Sequence, residues 1–165
     1  MEKFEQGFHL RYSDRIAKPE FIRYIPSIVS MSNTMDEGLV ISHQFNLKYD
    51  PKYTQACTEE YILSTFYQTE YSYVIALQDN VVIGMATILN GLYHESCNIN
   101  KFIIEKEYRG MGYGSKFLKQ LMLELKRDRK YKFVGLNVII NNIPAMKLYK
   151  KLGFSPIEEY RIAKL

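Results

Sequence analysis

The chain has 165 residues, 47% hydrophobic and 14% aromatic, enough for one sizeable core and too short for two, so a single domain over 1–165 is expected to fold without metal or disulfide staples. The start, MEKFEQGFHLRYSDR, lacks the basic and continuous apolar regions of a signal peptide, and no later run nears the ~20 apolar residues of a membrane span. With a formal net charge of +4 and only Cys57 and Cys97, in no C-x-x-C pair or His/Cys cluster, a soluble cytoplasmic protein with two reduced, packing thiols is expected, free of metal and membrane.

In chain order, GFHLRYSD alternates as a first strand closed by Asp14 and Pro19. PEFIRYIPSIVSM has helical character, but Pro26 argues for a break or kink, and SNTMDEGLVISHQFN reads as loop. Asp50-Pro51 offers an N-cap with proline at the first helical position, and Tyr53, Cys57, Tyr61, Leu63 and Phe66 continue at roughly helical spacing, so 51–68 is read as helix in one or two pieces.

EYSYVIAL and VVIGMATILNGLY are β-rich runs joined by Gln78-Asp79-Asn80, a composition suited to a tight hairpin, and CNINKFIIE extends the antiparallel meander. Phe117, Leu118, Leu121, Met122 and Leu125 then form the apolar stripe of a helix ending near Arg127. The basic cluster Lys126, Arg127, Arg129, Lys130 and Lys132 after it reads as cations at a helix C-terminus in preference to a nucleic-acid patch. FVGLNVII is a nearly all-apolar strand, as for burial on both faces. A short helix starts at Pro144 and stops at Gly153, and EYRIAKL closes the chain as a strand. The order predicts an α/β or α+β sandwich with a mixed sheet.

YRGMGYGSKFLKQL, Tyr108 to Leu121, places three glycines at alternate positions directly before a helix. Strand, glycine-rich turn and helix N-terminus make an anion site, because the first helical amides lack partners and carry the positive end of the dipole. A P-loop would need G-x-x-x-x-G-K-[ST], whereas Gly114 is followed by Ser115 before Lys116. A dinucleotide fingerprint would need a third glycine where Ser115 stands and an acidic end to the next strand, which FVGLNVII lacks.

Arg109, Gly112 and Gly114 instead make the R-x-x-G-x-G pattern that resembles the pyrophosphate loop of the GNAT family of acetyl-CoA-dependent N-acetyltransferases. N-I-P-A-M-K-L-Y-K-K-L-G-F, Asn142 to Phe154, resembles that family's late N-x-x-A-x-x-L-Y-x-x-L-G-F segment. The likeness covers 72–165 closely and the first 70 residues only in element order. It implies a mixed, mostly antiparallel sheet flanked by helices and splayed between strands 4 and 5, with acetyl-CoA as co-substrate and an amine-bearing acceptor as partner.

The resemblance further implies that main-chain groups of Phe102, Ile103 and Ile104 pair with the pantetheine arm, and that Arg109, Gly110, Met111, Gly112, Tyr113, Gly114 and Ser115 wrap the pyrophosphate. Asn142 either bonds the cofactor arm or caps the helix at Pro144. Tyr149 stands where the family places a general acid for the departing thiolate, a role favoured here over core packing. The glutamate that many members carry inside the fourth strand is absent from Asn98-Ile99-Asn100-Lys101, leaving Glu95, His94 or a water on Asn100 as candidates to deprotonate the amine. Tyr61, Phe66, Tyr67 and Tyr71 either wall the acceptor pocket or pack on the sheet. The expected protein is an N-acetyltransferase acting on a primary amine, as monomer or homodimer, without nucleic acid. The alternative is a non-catalytic acyl-CoA sensor or scaffold, for which the missing carboxylate speaks.

Overall fold

The computed structural model describes residues 6–35, 58–66, 70–93, 95–136, 138 and 142–155. Along the chain lie β1 (Phe8–Tyr12), α1 (Lys18–Ile22), α2 (Ile25–Met35), α3 (Glu59–Thr65), β2 (Tyr71–Gln78), β3 (Val81–Tyr93), β4 (Ser96–Ile104), α4 (Tyr113–Arg129), β5 (Phe133–Leu136) and α5 (Ile143–Lys151). The five strands form one sheet in chain order, antiparallel from β1 to β4 and parallel between β4 and β5. Asp79 and Asn80, with φ of 49° and 66°, make the two-residue hairpin whose left-handed residues match strand twist.

The sheet separates two apolar layers, because alternate strand residues point to opposite faces. On one face Val74, Ala76, Ala86, Ile88, Cys97 and Ile99 pack under Phe117, Leu118, Leu121 and Leu125 of α4. On the other, Tyr73, Ile75, Leu77, Met85 and Ile103 meet Phe21, Ile25, Ile28 and Met31 of α1 and α2 and Ile62 of α3.

The break that Pro26 argues for falls just ahead of it, at Arg23–Tyr24, and Pro26 itself sits in the first turn of α2, where its missing N–H would have had no partner. Three expectations change. SNTM is not loop: α2 continues through Met35, since Ile25, Ile28, Met31 and Ser32 recur at helical spacing on the buried face and that packing outweighs weak local propensity. The helix after the glycines ends at Arg129, with Lys130 in the left-handed capping conformation. Finally, β5 is not buried on both faces. Phe133 is 68% exposed and Val134, Gly135 and Leu136 are half-buried, because β4 is the one neighbour of β5 among the described strands.

Of the helix read over 51–68, the described part is α3, capped by Thr58, whose Oγ1 accepts the Tyr61 N–H at 3.2 Å. Residues 51–57, with Tyr53 and Cys57, lie outside the described residues, as do Tyr67, His94 and the strand EYRIAKL.

Candidate functional site

The glycines of the loop do different work. Gly110 and Gly112 have φ of 76° and 85°, left-handed values that cost other residues strain, and Gly112 is the N-cap of α4. Gly114 has ordinary helical backbone, but a Cβ there would stand 3.3 Å from Leu148 Cδ2 of α5. Its lack of a side chain lets α4 lie close against α5. The first intrahelical bond is Lys116 N–H to the Gly112 carbonyl at 3.1 Å, so the amides of Tyr113, Gly114 and Ser115 have no partner among the described residues.

Around this amide cradle, Met111 is exposed and Tyr113 packs edge-on against Tyr108, ring centroids 5.9 Å apart. Arg109 Nε donates to the Ile104 carbonyl at 2.8 Å, fixing the loop to the end of β4.

The described pairing of β4 with β5 runs only from Ser96 to Ile99, so Asn100 to Ile104 have no strand partner on that side among the described residues. Main-chain direction alternates along this free edge. The Glu105 N–H reaches back to the Ile83 carbonyl at 2.8 Å, and the Ile103 carbonyl faces Gly84 of β3. Phe102 and Ile104 therefore turn their N–H and C=O groups outward. Of the three residues singled out for an added-strand pairing, Phe102 and Ile104 offer main-chain groups to the open edge, and Ile103 gives its own to β3.

Tyr149 lies against this opening. Its ring packs edge-on against Phe102, centroids 6.4 Å apart, and against Phe154 at 5.8 Å. Burial pushes its phenol above the usual value near 10, and the hydroxyl has no hydrogen-bond partner among the described residues. Asn142 caps α5: its Oδ1 accepts the Ala145 N–H at 3.4 Å.

The opposite face of β4 carries a feature that the sequence reading missed. Thr87 pairs with Lys101, but Ile88 pairs with Ile99, so Asn100 is the extra residue of a β-bulge. Ile99 and Phe102 both point toward α4, which leaves Asn100 and Lys101 together on the α2–α3 face. There they line a pocket of about 30 Å³ with Ser32, Tyr61, Tyr71, Tyr73 and Thr87. Tyr61 and Tyr71 thus do wall a pocket, while Phe66 packs on Phe21, ring centroids 5.0 Å apart. Thr87 is 5% exposed, and its hydroxyl has no partner among the described residues. An unpaired buried hydroxyl costs about 1–3 kcal/mol, a cost that a bound polar group would remove.

Glu95 is remote from this pocket, at the turn before β4, where its Oε1 meets Lys132 Nζ at 2.8 Å. The basic cluster is largely paired as well: Arg127 Nε lies 2.7 Å from Asp128 Oδ1, and Arg129 Nη2 lies 2.7 Å from Asp14 Oδ1. Lys126, Arg127 and Arg129 lie in the last turn of α4 and Lys130 is its C-cap, at the negative end of the helix dipole. A larger cleft of about 340 Å³, between β1 and the far end of α4, is lined by Arg11, Tyr12, Arg15, Glu124, Arg127 and Asp128. It lies about 20 Å along the helix from Gly112, and its polar groups are engaged: Arg15 and Arg127 pair with Asp128, the Tyr12 hydroxyl donates to Glu124, and Arg11 pairs with Glu20. Among the described residues no helix is long and apolar enough to cross a membrane, and no group of three or more metal-binding side chains occurs.

Comparison with known proteins gives a family match: the model of the acetyltransferase (GNAT) family covers residues 40–154. A probable spermine N(1)-acetyltransferase of Bacillus subtilis subsp. natto (strain BEST195) is 41% identical over 56 residues, 34% of this chain and 37% of that protein. The matched part thus spans little more than a third of such a relative's length. A putative ribosomal protein bS18-alanine N-acetyltransferase of Bacillus subtilis (strain 168) is 25% identical over 117 residues, 70% of this chain and 75% of that one. Among solved structures, a spermidine N-acetyltransferase mutant from Vibrio cholerae superposes with a TM-score of 0.67 at 17% identity, over 90% of this chain and 80% of that one. At that identity the likeness is one of fold.

Proposed function

The chain belongs to the GNAT acetyltransferase family, and on that premise we propose that it transfers an acetyl group from acetyl-CoA to a primary amine by direct attack on the thioester. The observation that carries the reading is a juxtaposition. The partnerless amides of Tyr113, Gly114 and Ser115 stand beside the open edge of β4 at Phe102 and Ile104, with Tyr149 packed against Phe102.

In this reading the amides and the positive end of the α4 dipole hold the pyrophosphate. The pantetheine arm adds to the free edge of β4 as an extra strand would, bonding the outward groups of Phe102 and the Ile104 N–H, since the Ile104 carbonyl is already engaged by Arg109. Asn142, committed to its helix, shapes the start of α5 in preference to binding the arm.

The amine must arrive without its extra proton, because an ammonium has no lone pair. Its nitrogen attacks the thioester carbonyl, the C–N bond forms, and the carbon–sulfur bond breaks. Tyr149, held protonated by its apolar surroundings, gives its proton to the departing thiolate and regains one from solvent. Glu95 is turned to Lys132 at the turn before β4, which leaves a water held at Asn100, or His94 outside the described residues, to accept the amine's proton. Relatives named for spermine and spermidine put small amines first among acceptors to try.

The test is release of free thiol from acetyl-CoA on addition of an amine panel. Amine-dependent release supports the transferase. Tight acetyl-CoA binding without release from any amine supports the sensor or scaffold instead.

A further inference from the structure

The β4 bulge brings together three hydrogen-bond donors, one of them buried, that have no protein partner among the described residues. Thr87 Oγ1 is buried without a partner, and neither the Asn100 amide nor the Lys101 ammonium forms a hydrogen bond or ion pair among the described residues. All three line the same pocket, and among the described residues of its lining Lys101 is the one that carries a charge. Thr87 and Lys101 are direct cross-strand partners, so their side chains rise from adjacent points on one face. A space of about 30 Å³ has room for about two water-sized groups, the size of the two oxygens of a single carboxylate.

We infer that this pocket binds a carboxylate of the acceptor, so that the substrate class is an amine bearing a free carboxylate, of amino-acid type, in preference to a polyamine. The inference rests on the proposed acetyl transfer and concerns the acceptor side of that same site. The lysine supplies the countercharge, a donor to a charged oxygen being stronger than one to a neutral oxygen. The Thr87 hydroxyl gains the partner it lacks, and the Asn100 amide donates from the bulge. A polycation would meet Lys101 with like charge and leave the three donors unused. Tyr61, 51% exposed, forms the outer wall past which such a group enters.

The experiment measures thiol release from acetyl-CoA with α- and ω-amino acids, with the same compounds as carboxamides, and with spermidine. Free acids should exceed their amides in kcat/KM by about 10- to 100-fold, the range of a hydrogen bond to a charged group. Lys101→Met should erase that difference, mainly through KM, with acetyl-CoA affinity by calorimetry kept within about twofold. Thr87→Val should weaken the acids' KM and Thr87→Ser should restore it, a rescue that a merely structural role for the methyl group would not give. Equal turnover of acids and amides, or a preference for spermidine unmoved by Lys101→Met, overturns the carboxylate assignment and leaves acetyl transfer standing. No thiol release from any amine, with acetyl-CoA bound, overturns the transfer reading itself.

Discussion

Arg109 reaches back from the glycine loop to donate its Nε proton to the carbonyl of Ile104 at 2.8 Å, so the anion cradle and the open strand edge are held in one register by a single side chain. Its other guanidinium protons stay exposed at the loop. Arg109→Ala should therefore lower acetyl-CoA affinity about 10- to 100-fold, the loss of charge-assisted contact, while hardly moving the melting temperature. Arg109→Lys keeps the charge without the fork and should recover only part of the affinity. Calorimetric titration of both variants reads the difference.

Gly112 separates backbone strain from blocked binding. With φ at 85° and open space around it, Gly112→Ala should cost about 1–2 kcal/mol of stability and leave most cofactor affinity. Gly112→Glu adds an anion where the pyrophosphate must approach the amides, and should abolish binding in a protein that still folds. Unfolding curves paired with acetyl-CoA titrations would distinguish the two, and undiminished affinity in the glutamate variant would remove the loop from the site.

Tyr149→Phe deletes a hydroxyl that has no hydrogen-bond partner among the described residues, so stability should change by less than about 0.5 kcal/mol. Turnover should fall about 10²–10⁴-fold with apparent acetyl-CoA binding kept. Retained turnover would assign the ring to packing against Phe102 and Phe154.

Cys97, buried against the α4 layer, has its thiol pushed up to about 11 from the usual 9 by burial, against the opposing pull of Arg129. A group whose folded pKa is raised contributes stability that is fully present below its unfolded value and is lost as pH climbs through the folded one. Urea unfolding should accordingly show stability eroding between about pH 9 and 11, and Cys97→Ala should lack that component. In the folded protein at pH 8, peptide mapping after alkylation should find Cys97 unmodified.

Phe117 is fully buried, packed on Phe102 at 5.0 Å between ring centroids and on Phe8 at 6.4 Å. Phe117→Ala should cost about 3–5 kcal/mol, visible as a large drop in the urea midpoint.

The strands, the hairpin at Asp79-Asn80 and the loop before α4 were legible because each has a local cause: alternation, residues that accept left-handed backbone, and glycines before an amphipathic stripe. Where packing competes with local preference the sequence misled, as at Ser32 and Asn33, carried into α2 by the buried Ile28 and Met31. The exposure of β5 was hidden because four apolar letters look alike at the middle and at the edge of a sheet. The bulge at Asn100 left a trace that went unread: Cys97 and Ile99 fall on odd positions and Phe102 and Ile104 on even ones, all facing α4. That slip of one residue brings Asn100 and Lys101 to the same side. The meeting of Lys101 with Thr87 was beyond local reading, since it depends on the register of β3 against β4.

The sheet that divides the molecule into two apolar layers also divides its labour. Everything that would hold the donor, the glycine loop with α4 and α5, is built over one face, and the pocket walled by Tyr61, Tyr71 and Tyr73 opens on the other. Leu121 belongs to one apolar cluster and Ile62 to the other, and the two clusters have no member in common among the described residues, so their substitutions should act additively on stability. Such a partition is modular: substitutions in the α2–α3 layer can reshape the pocket on that face without repacking the layer of α4 on the other.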